Sequence, residues 1–505
     1  MMKSELLKIR EPELLFGHQQ MLEDPRDGLT LFGPLDEGSP HGIRWGIVGT
    51  QEGMRRFKGW LDKIQGPISN TPPAEARPPF PGFEAAFKIP WRTKPEIELV
   101  IPNKEIEESV YIDEKHQRVF QTVSVYAQRI IDATLKEDVH PDIWFVIIPD
   151  YIYRYCHPQS TVEPELRLKA EYYFSKKAAQ NLIEQGSLFP KDREGAIPYE
   201  YEVNFHNQLK ARLLDMHVPT QIIRESTIAY REFLNKFGQP SRPLDVMESA
   251  IAWNIGAAVF YKAGGRPWKI GKIRDGVCYI GLVFKKDERK QNPRAACCGA
   301  QMFLDSGDGL VFKGDIGPWY REGEGTFHLK RGAAKELIGK ALKTYEEKKR
   351  KPPKELFIHG KVQFDNEEWS GFQDAVSSAT NLIGVCIRPS NKIKLYRRGN
   401  NPVLRGISYV LDENTAFLWT KGFVPRLNTY PGREVPNPLL VNVCRGNAKI
   451  ETVLSDIMGL TKLNYNSCQF ADGLPVTLRF ADAIGEILTA GPSKESSPLP
   501  FKYYI

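Results

Sequence analysis

The sequence predicts an α/β protein of two successive domains, a parallel-sheet domain followed by one that opens on antiparallel strands. Apolar, strand-like runs near residues 45–49, 143–148 and 221–224 alternate with helical patterns, the grammar of a parallel sheet covered by helices. After Trp268 the pattern changes to three strands in hairpin order, then to alternating helices and strands. The length, 505 residues, is too great for one hydrophobic core.

In chain order, a strand-like piece, Leu29–Phe32, comes first and is followed by Gly33-Pro34. Gly46–Thr50 ends a strand, and Gln51 to Ile64 reads as an amphipathic helix, so the first domain starts as a Rossmann-like layer. Its glycines run Gly-x-x-Gly-x-x-x-Gly, without the close pair that lets a backbone approach a pyrophosphate, so this is not a dinucleotide fingerprint. Residues 65–102 are rich in proline (Pro72-Pro73, Pro78-Pro79, Pro81) and predict an irregular excursion. A helix over Val119–Lys136 leads to a buried strand, Ile143–Ile148, ending in Pro149-Asp150. A polar, charge-mixed excursion runs from Cys156 to about Tyr199. A helix opening at Phe205, a break at Val218-Pro219-Thr220, a strand over Gln221–Arg224 and a helix over Val246–Lys262, stopped by Gly264-Gly265, complete the domain.

Beyond Trp268, Val277–Lys285 and Arg294–Leu304 read as strands, Asp305–Gly309 as a turn and Leu310–Lys313 as the returning strand. Helix Ala333–Lys349, strand Glu355–His359, helix Trp369–Ser377 and strand Leu382–Ile387 follow, which is the order of an RNase H-like fold. The basic run from Lys343 to Lys354 closes a helix, where cations suit the dipole.

Composition narrows the function classes. The net charge of +7 is modest for this length and compatible with a nucleic-acid groove. No stretch approaches 18 uninterrupted apolar residues, so no membrane span is expected. Charges within the first residues and the lack of an apolar signal core predict a cytoplasmic protein. Seven scattered cysteines, with Cys297-Cys298 adjacent and no Cys-x-x-Cys, support neither a zinc site nor a disulfide framework. The nine histidines form no His-Glu-x-x-His.

The functional weight falls on residues 205–265. His206 and Lys210 lie four apart on one helix, Gln221 opens a strand and Lys262 ends a second helix. None is an obvious nucleophile, but all donate hydrogen bonds, the chemistry that holds a phosphate. A single basic residue on a helix is ordinarily solvated surface; the arrangement carries the reading. That arrangement resembles the MID domain of Argonaute and Piwi proteins, in which the equivalent positions bind the 5′-phosphate of a guide strand. The family often has Tyr where His206 stands, and Lys262-Ala263-Gly264-Gly265-Arg266-Pro267-Trp268 resembles its Lys-Leu-Gly-Gly-x-Pro-Trp. The resemblance implies that His206, Lys210, Gln221 and Lys262 form the phosphate pocket and that Asn254, two turns before Lys262, reaches the first guide bases. It also implies that the carboxylate of Ile505 tucks back to share a Mg²⁺ ion with guide phosphates, a hard cation among oxygen ligands.

The match runs from about Gly42 onward. It implies an N-terminal segment (1–41) packing on the PIWI lobe, a MID domain (42–265) and an RNase H-like PIWI domain (266–505), with no N or PAZ domains, the organisation of a short prokaryotic Argonaute. Leu460–Asn466 and Leu474–Asp482 resemble the last helices of PIWI. PIWI nucleases cut with metal ions held by three carboxylates and a fourth Asp or His. Here Val283 and Gly360 stand at two expected carboxylate positions and only Asp482 is tetrad-like, so no slicing and no enzyme activity are expected. Asp305, Asp308 and Asp315 are the carboxylates of the alternative, a nuclease with a displaced tetrad; a nucleotide-using metabolic enzyme is a third reading, opposed by the lack of a phosphate loop.

The stretches Asn292–Asp305 and Phe470–Asp482 are similar to those of the subgroup paired with a TIR-APAZ protein, the SPARTA-type systems. That resemblance implies a guide RNA that finds invading plasmid or phage single-stranded DNA. The heterodimer with the TIR-APAZ protein then oligomerises, and the partner's TIR domains hydrolyse NAD(P)⁺ in an abortive-infection response. A sirtuin-type partner is the alternative effector.

Overall fold

The computed structural model describes the whole chain except residues 1–4, 137–139, 187–188, 287–295, 305–308, 322, 431, 433 and 493–496, and the side chains of Cys297 and Asp315. Two sheets organise it, one of four strands and one of ten, beside two smaller ones.

The N-terminal segment lies against both lobes, Arg26 donating to the Ala76 carbonyl oxygen of the first at 3.1 Å. Strand β1 (Glu5–Lys8) forms one edge of the ten-stranded sheet. Glu11 lies between Arg405 Nε and Lys462 Nζ, at 3.0 and 2.8 Å. Helix α1 (Pro25–Phe32) covers the piece that reads as a strand in sequence. Its start explains the difference: the Asp24 side chain accepts the Arg26 N–H as N-cap, and Pro25 sits in the first turn with its φ preset for a helix.

The first lobe is built on β2 (Trp45–Gly49), β3 (Ile97–Val100), β4 (Ile143–Ile148) and β5 (Thr220–Arg224), all parallel in the order β3-β2-β4-β5. Helices α2 (Gln51–Ile64) and α3 (Lys115–Lys136) cover the sheet, joined by α4 (Phe205–Leu214) and α5 (Glu248–Lys262). β3 lies inside the proline-rich segment expected to be irregular, which also holds a short helix over Phe83–Phe87. As an edge strand it alternates half-buried and exposed positions and so shows no apolar run. Likewise, the polar excursion after Cys156 contains helices over Lys176–Gln185 and Pro190–Ala196, which form a small satellite core with Tyr199.

At the carboxyl ends of parallel strands such folds commonly place a ligand against a helix N-terminus. Here the chain's own carboxylate stands there. Glu225 Oε1 lies 3.3 Å from the Thr50 hydroxyl that caps α2, and Glu225 pairs with Arg56. This self-filling disfavours the nucleotide-using enzyme reading.

The second lobe opens on an antiparallel meander of β6 (Val277–Lys286), β7 (Ala296–Leu304) and β8 (Gly309–Gly317). β9 (Glu355–Gly360) joins β6 in parallel and β10 (Asn381–Pro389) joins β9. β11 (Ile407–Val410), β12 (Thr415–Leu418) and β13 (Leu439–Arg445) extend the sheet to β1. Helices α6 (Arg331–Lys349) and α7 (Asn366–Ala375) pack on one face, where Cys278, Ile280 and Leu282 meet Leu337, Ile338 and Phe372. Helix α8 (Ala481–Thr489) and the preceding turn Val476–Arg479 take the other face, against Tyr279 and Val283. That second core is continuous with Trp45, Phe57, Trp91 and Phe145 of the first lobe, so one apolar core runs through both. Among the described residues no helix is long and apolar enough to cross a membrane.

The turn Val476–Arg479 lies directly on β6 because position 281 is glycine: a Cβ there would stand 1.9 Å from the Thr477 carbonyl oxygen. Gly281→Ala is therefore expected to destabilise the protein by about 3 kcal/mol, the upper end of ordinary overpacking, read as a lower urea midpoint with unchanged slope. A shift too small to measure would mean that the turn does not press on the strand.

Candidate functional site

Three elements of the first lobe deliver polar side chains to one buried point beside the chain's last residues. α4 starts at Asn204, whose side chain accepts the Asn207 N–H, and anchors through Phe205, Leu209 and Leu213 in the core under β4. Lys210, on the same helix, is 3% exposed. The break at Val218-Pro219 aims the start of β5 at it, so that Lys210 Nζ donates to the Thr220 carbonyl oxygen at 2.8 Å. α5 ends on Lys262, which is 1% exposed; its Nζ donates to Gln221 Oε1 at 2.7 Å and to the same Thr220 oxygen at 3.2 Å. From the second lobe, the Ile505 backbone oxygen lies 2.6 Å from Lys210 Nζ, with Tyr504 and Ile505 both buried.

The electrostatics are unusual. Two buried ammonium groups share a carbonyl, and no carboxylate side chain pairs with either among the described residues. Burial pushes Lys210 down to about 7, and burial together with the Lys210 charge pushes Lys262 well below the ordinary lysine range. The Ile505 oxygen, on the last residue of the sequence and so part of an α-carboxylate, opposes that shift at Lys210. One terminal carboxylate against two ammonium groups leaves the cluster short of negative charge, and an entering anion would complete it.

His206 stands beside this cluster with its ring partly open to solvent. Its Nδ1 faces Asn207 Oδ1 at 3.2 Å. Burial, Lys210 and Lys262 drive its pKa to about 4, against the pull of Asn207 and Glu486; the solvent that reaches the ring tempers the burial contribution. The structure thus brings Lys210, Gln221 and Lys262 into one contact set with His206 at its rim. Asn254 does not join them. About 12 Å of helix and about 80° of rotation separate it from Lys262, and its side-chain oxygen accepts the Cys468 N–H at 2.9 Å. Ile505, expected to offer its carboxylate to Mg²⁺, stands at the same point with one oxygen 2.6 Å from Lys210 Nζ, an oxygen ligand of the kind a hard cation takes.

The positions expected to carry nuclease carboxylates lie at one end of the ten-stranded sheet. Val283 is buried under α8, which Gly485 lets approach: a Cβ on Gly485 would stand 3.3 Å from Val283 Cγ1. Gly360 ends β9, and a Cβ there would meet the Phe364 ring at 3.0 Å. Asp482 is exposed, and Lys361 Nζ donates to both its oxygens, at 2.8 and 2.9 Å. A cavity of about 230 Å³ beside them is lined chiefly by Leu282, Phe284, Phe327 and Phe364. Asp305 and Asp308 lie outside the described residues, as does the side chain of Asp315.

Sequence reasoning missed one cluster. His328 Nδ1 lies 3.4 Å from Glu368 Oε2 and 4.0 Å from Asp365 Oδ2. Both carboxylates already have protein donors: Asp365 caps α7 and pairs with Arg321, and Glu368 accepts the Leu329 N–H. The Glu368 hydrogen bond raises the His328 pKa against burial, while burial raises that of Glu368, and with Arg321 on Asp365 the set staples α7 to the strand end before α6. The Asp-x-x-Glu spacing at 365–368 is the one sequence signal for it.

No profile of a known protein family matches the chain. The sequence is 22% identical over 287 residues to the protein argonaute of Aquifex aeolicus (strain VF5), covering 56% of this chain and 36% of that one. The fold superimposes on Clostridium butyricum Argonaute bound to a guide DNA and a 19-mer target DNA, with a TM-score of 0.63 at 14% identity, over 99% of this chain and 55% of that one. It superimposes on Drosophila Piwi with a TM-score of 0.57 at 14% identity, over 99% and 56%. The chain has the mixed α/β fold of Argonaute MID–PIWI structures and spans about half the length of those chains.

The charge imbalance has a measurable signature. Lys210 titrates near 7 in the folded protein against an ordinary 10.5, so the unfolded chain binds more protons between those values and stability rises with pH across that window. The unfolding midpoint of the free protein is expected to climb between pH 7 and pH 9.5. Lys210→Met should raise stability at pH 7 by about 1–2 kcal/mol, as relief of strain at a functional site commonly does, and flatten the climb. Stability that falls over the same range would show that the cluster is not short of negative charge.

Proposed function

We propose that the chain is a short Argonaute that binds a guide RNA by its 5′-phosphate and uses it to recognise complementary single-stranded DNA, without cutting it. The observation that carries this reading is the pair of buried ammonium groups on the Thr220 carbonyl, uncompensated by any described carboxylate side chain. A guide phosphate supplies the missing charge and accepts from Lys210, Lys262, Gln221 and His206. Anchoring the phosphate sets the register, base pairing reads the sequence, and backbone contacts add affinity that falls with salt. Magnesium would be held by guide phosphate oxygens together with the Ile505 carboxylate.

The reading of no cleavage rests on the sheet end. Val283 and Gly360 offer no carboxylate, Phe364 crowds position 360, and Asp482, the tetrad-like carboxylate, is paired with Lys361. Two metal ions need several carboxylates, and an ammonium beside the last one opposes even a single ion. The resemblance of Phe470–Asp482 supports a TIR-APAZ partner that hydrolyses NAD(P)⁺ when target binding drives the heterodimer to oligomerise. That equilibrium moves only as far as bound and free forms differ in self-affinity. The outcome for the cell is abortive-infection immunity against plasmid or phage DNA.

Two experiments test these steps. Lys210→Glu with Lys262→Glu should abolish co-purifying 5′-phosphorylated RNA. Each charge-assisted contact is worth roughly 1.5–3 kcal/mol, so the loss in affinity is at least tens-fold, and unchanged RNA content in the folded variant would refute the pocket. In the reconstituted heterodimer with Mg²⁺ or Mn²⁺, complementary DNA should stay intact while NAD(P)⁺ is consumed only when that DNA is present. Guide-dependent DNA cleavage that survives Asp482→Ala would instead favour a nuclease with displaced carboxylates, and an NAD(P)⁺ pool untouched by target would remove the TIR-type effector.

A further inference from the structure

The rim of the phosphate pocket is wired to the second lobe through Asn207. Its Nδ2 donates to Glu202 Oε2 and to Glu486 Oε2, each at 3.2 Å. Glu486 sits on α8, and its other oxygen accepts from Lys285 Nζ of β6 at 3.2 Å. The Glu202 N–H donates to the Ala490 carbonyl oxygen at 2.8 Å, so the approach to α4 is stitched to the end of α8. Both acceptors of Nδ2 are carboxylates, which settles the amide orientation: the nitrogen faces Glu202 and Glu486, and the oxygen faces His206. An amide oxygen only accepts, so His206 Nδ1 must carry a proton. Among the described residues no hydrogen bond engages Nε2.

We propose that Asn207 is a positioning residue, clamped by one carboxylate from each lobe, that holds His206 with Nδ1 protonated and Nε2 free for the ligand, so that the pocket takes up a guide phosphate together with one proton. This rests on the reading of the pocket as a phosphate site. In the neutral ring Nε2 is a bare lone pair, and a dianionic phosphate facing it would meet only repulsion. A proton between Nε2 and a phosphate oxygen turns that contact into a charge-assisted bond. The groups facing the ring agree with this. Lys210 and Lys262 oppose its protonation in the free protein, and an entering phosphate offsets them; Glu486, already paired with Lys285, and Glu202 act through Asn207. The second ionisation of a phosphate monoester lies near 6, so above about pH 7 the complex holds one proton more than its separated parts. A tyrosine at position 206 would donate its own hydroxyl hydrogen and need no such proton.

The test measures the affinity of a 5′-phosphorylated RNA relative to its 5′-hydroxyl counterpart between pH 6.5 and 8.5. One linked proton makes the phosphate's advantage fall about tenfold per pH unit, and titration of Lys210 steepens the fall. Asn207→Ala frees the ring to carry its proton on Nε2 and should lower the number of protons taken up by about one. His206→Tyr, at a partly exposed position, should do the same and serves if the alanine variant fails to fold. An unchanged slope in either variant, even with weaker binding overall, overturns the assignment of Asn207 and His206 while leaving the pocket standing. If the 5′-phosphate confers no advantage at any pH, the phosphate-site reading falls, and this inference with it.

Discussion

Two lysines that donate to one backbone carbonyl, with no described carboxylate side chain to balance them, set the terms for the rest of this molecule. Charges buried in this way are costly, and the fold keeps them in place through strong supports. α4 is anchored in the core under β4, β5 begins where Val218-Pro219 breaks the helix, and α5 is buried nearly all round. The stability lost at the pocket is offset by one apolar core that runs from Trp45 through Trp268 to Val283 and Ile484. A site that is poor company for itself is good company for an anion.

Helix α8 links the two ends of this arrangement. Its first turn holds Asp482 against Lys361, its middle crosses β6 at Gly485, and Glu486 clamps Asn207 beside the pocket. The lysine cluster and the sheet end therefore share one rigid element. At that sheet end an ion pair and an apolar cavity stand together. In the proposed function this division is economical: one end of α8 serves retention of a guide, and the other has lost the means to cut its target.

Legibility in the sequence followed burial and capping. β4 was readable because Ile143–Ile148 is apolar and buried throughout, and α2 because Thr50 caps it ahead of an amphipathic stripe. β3 and β11 are four residues long and mostly half-buried or exposed, and β12 and β13 alternate buried with half-buried positions, so none is buried throughout as β4 is. Leu29–Phe32 taken alone reads as a strand, and the Asp24-Pro25 start commits it to helix α1. At the site, spacing and resemblance single out Lys210, Gln221 and Lys262, which the fold brings together, while Asn254, expected at the guide bases, accepts the Cys468 N–H of the second lobe. A helical count places a residue on a helix, but what its side chain meets depends on the neighbouring chain.

By itself the sequence determined the alternation of strands and helices, the change in pattern after Trp268, and that Val and Gly stand at positions 283 and 360, because periodicity and residue type are local properties. Only the tertiary structure decided that Lys210 and Lys262 share the Thr220 oxygen, that Lys361 neutralises Asp482, and that Glu486 reaches across 279 residues to hold Asn207. Such contacts join segments far apart in the chain. Charge balance and the protonation of a ring nitrogen are set by whatever the fold brings within a few ångströms, which no local pattern records.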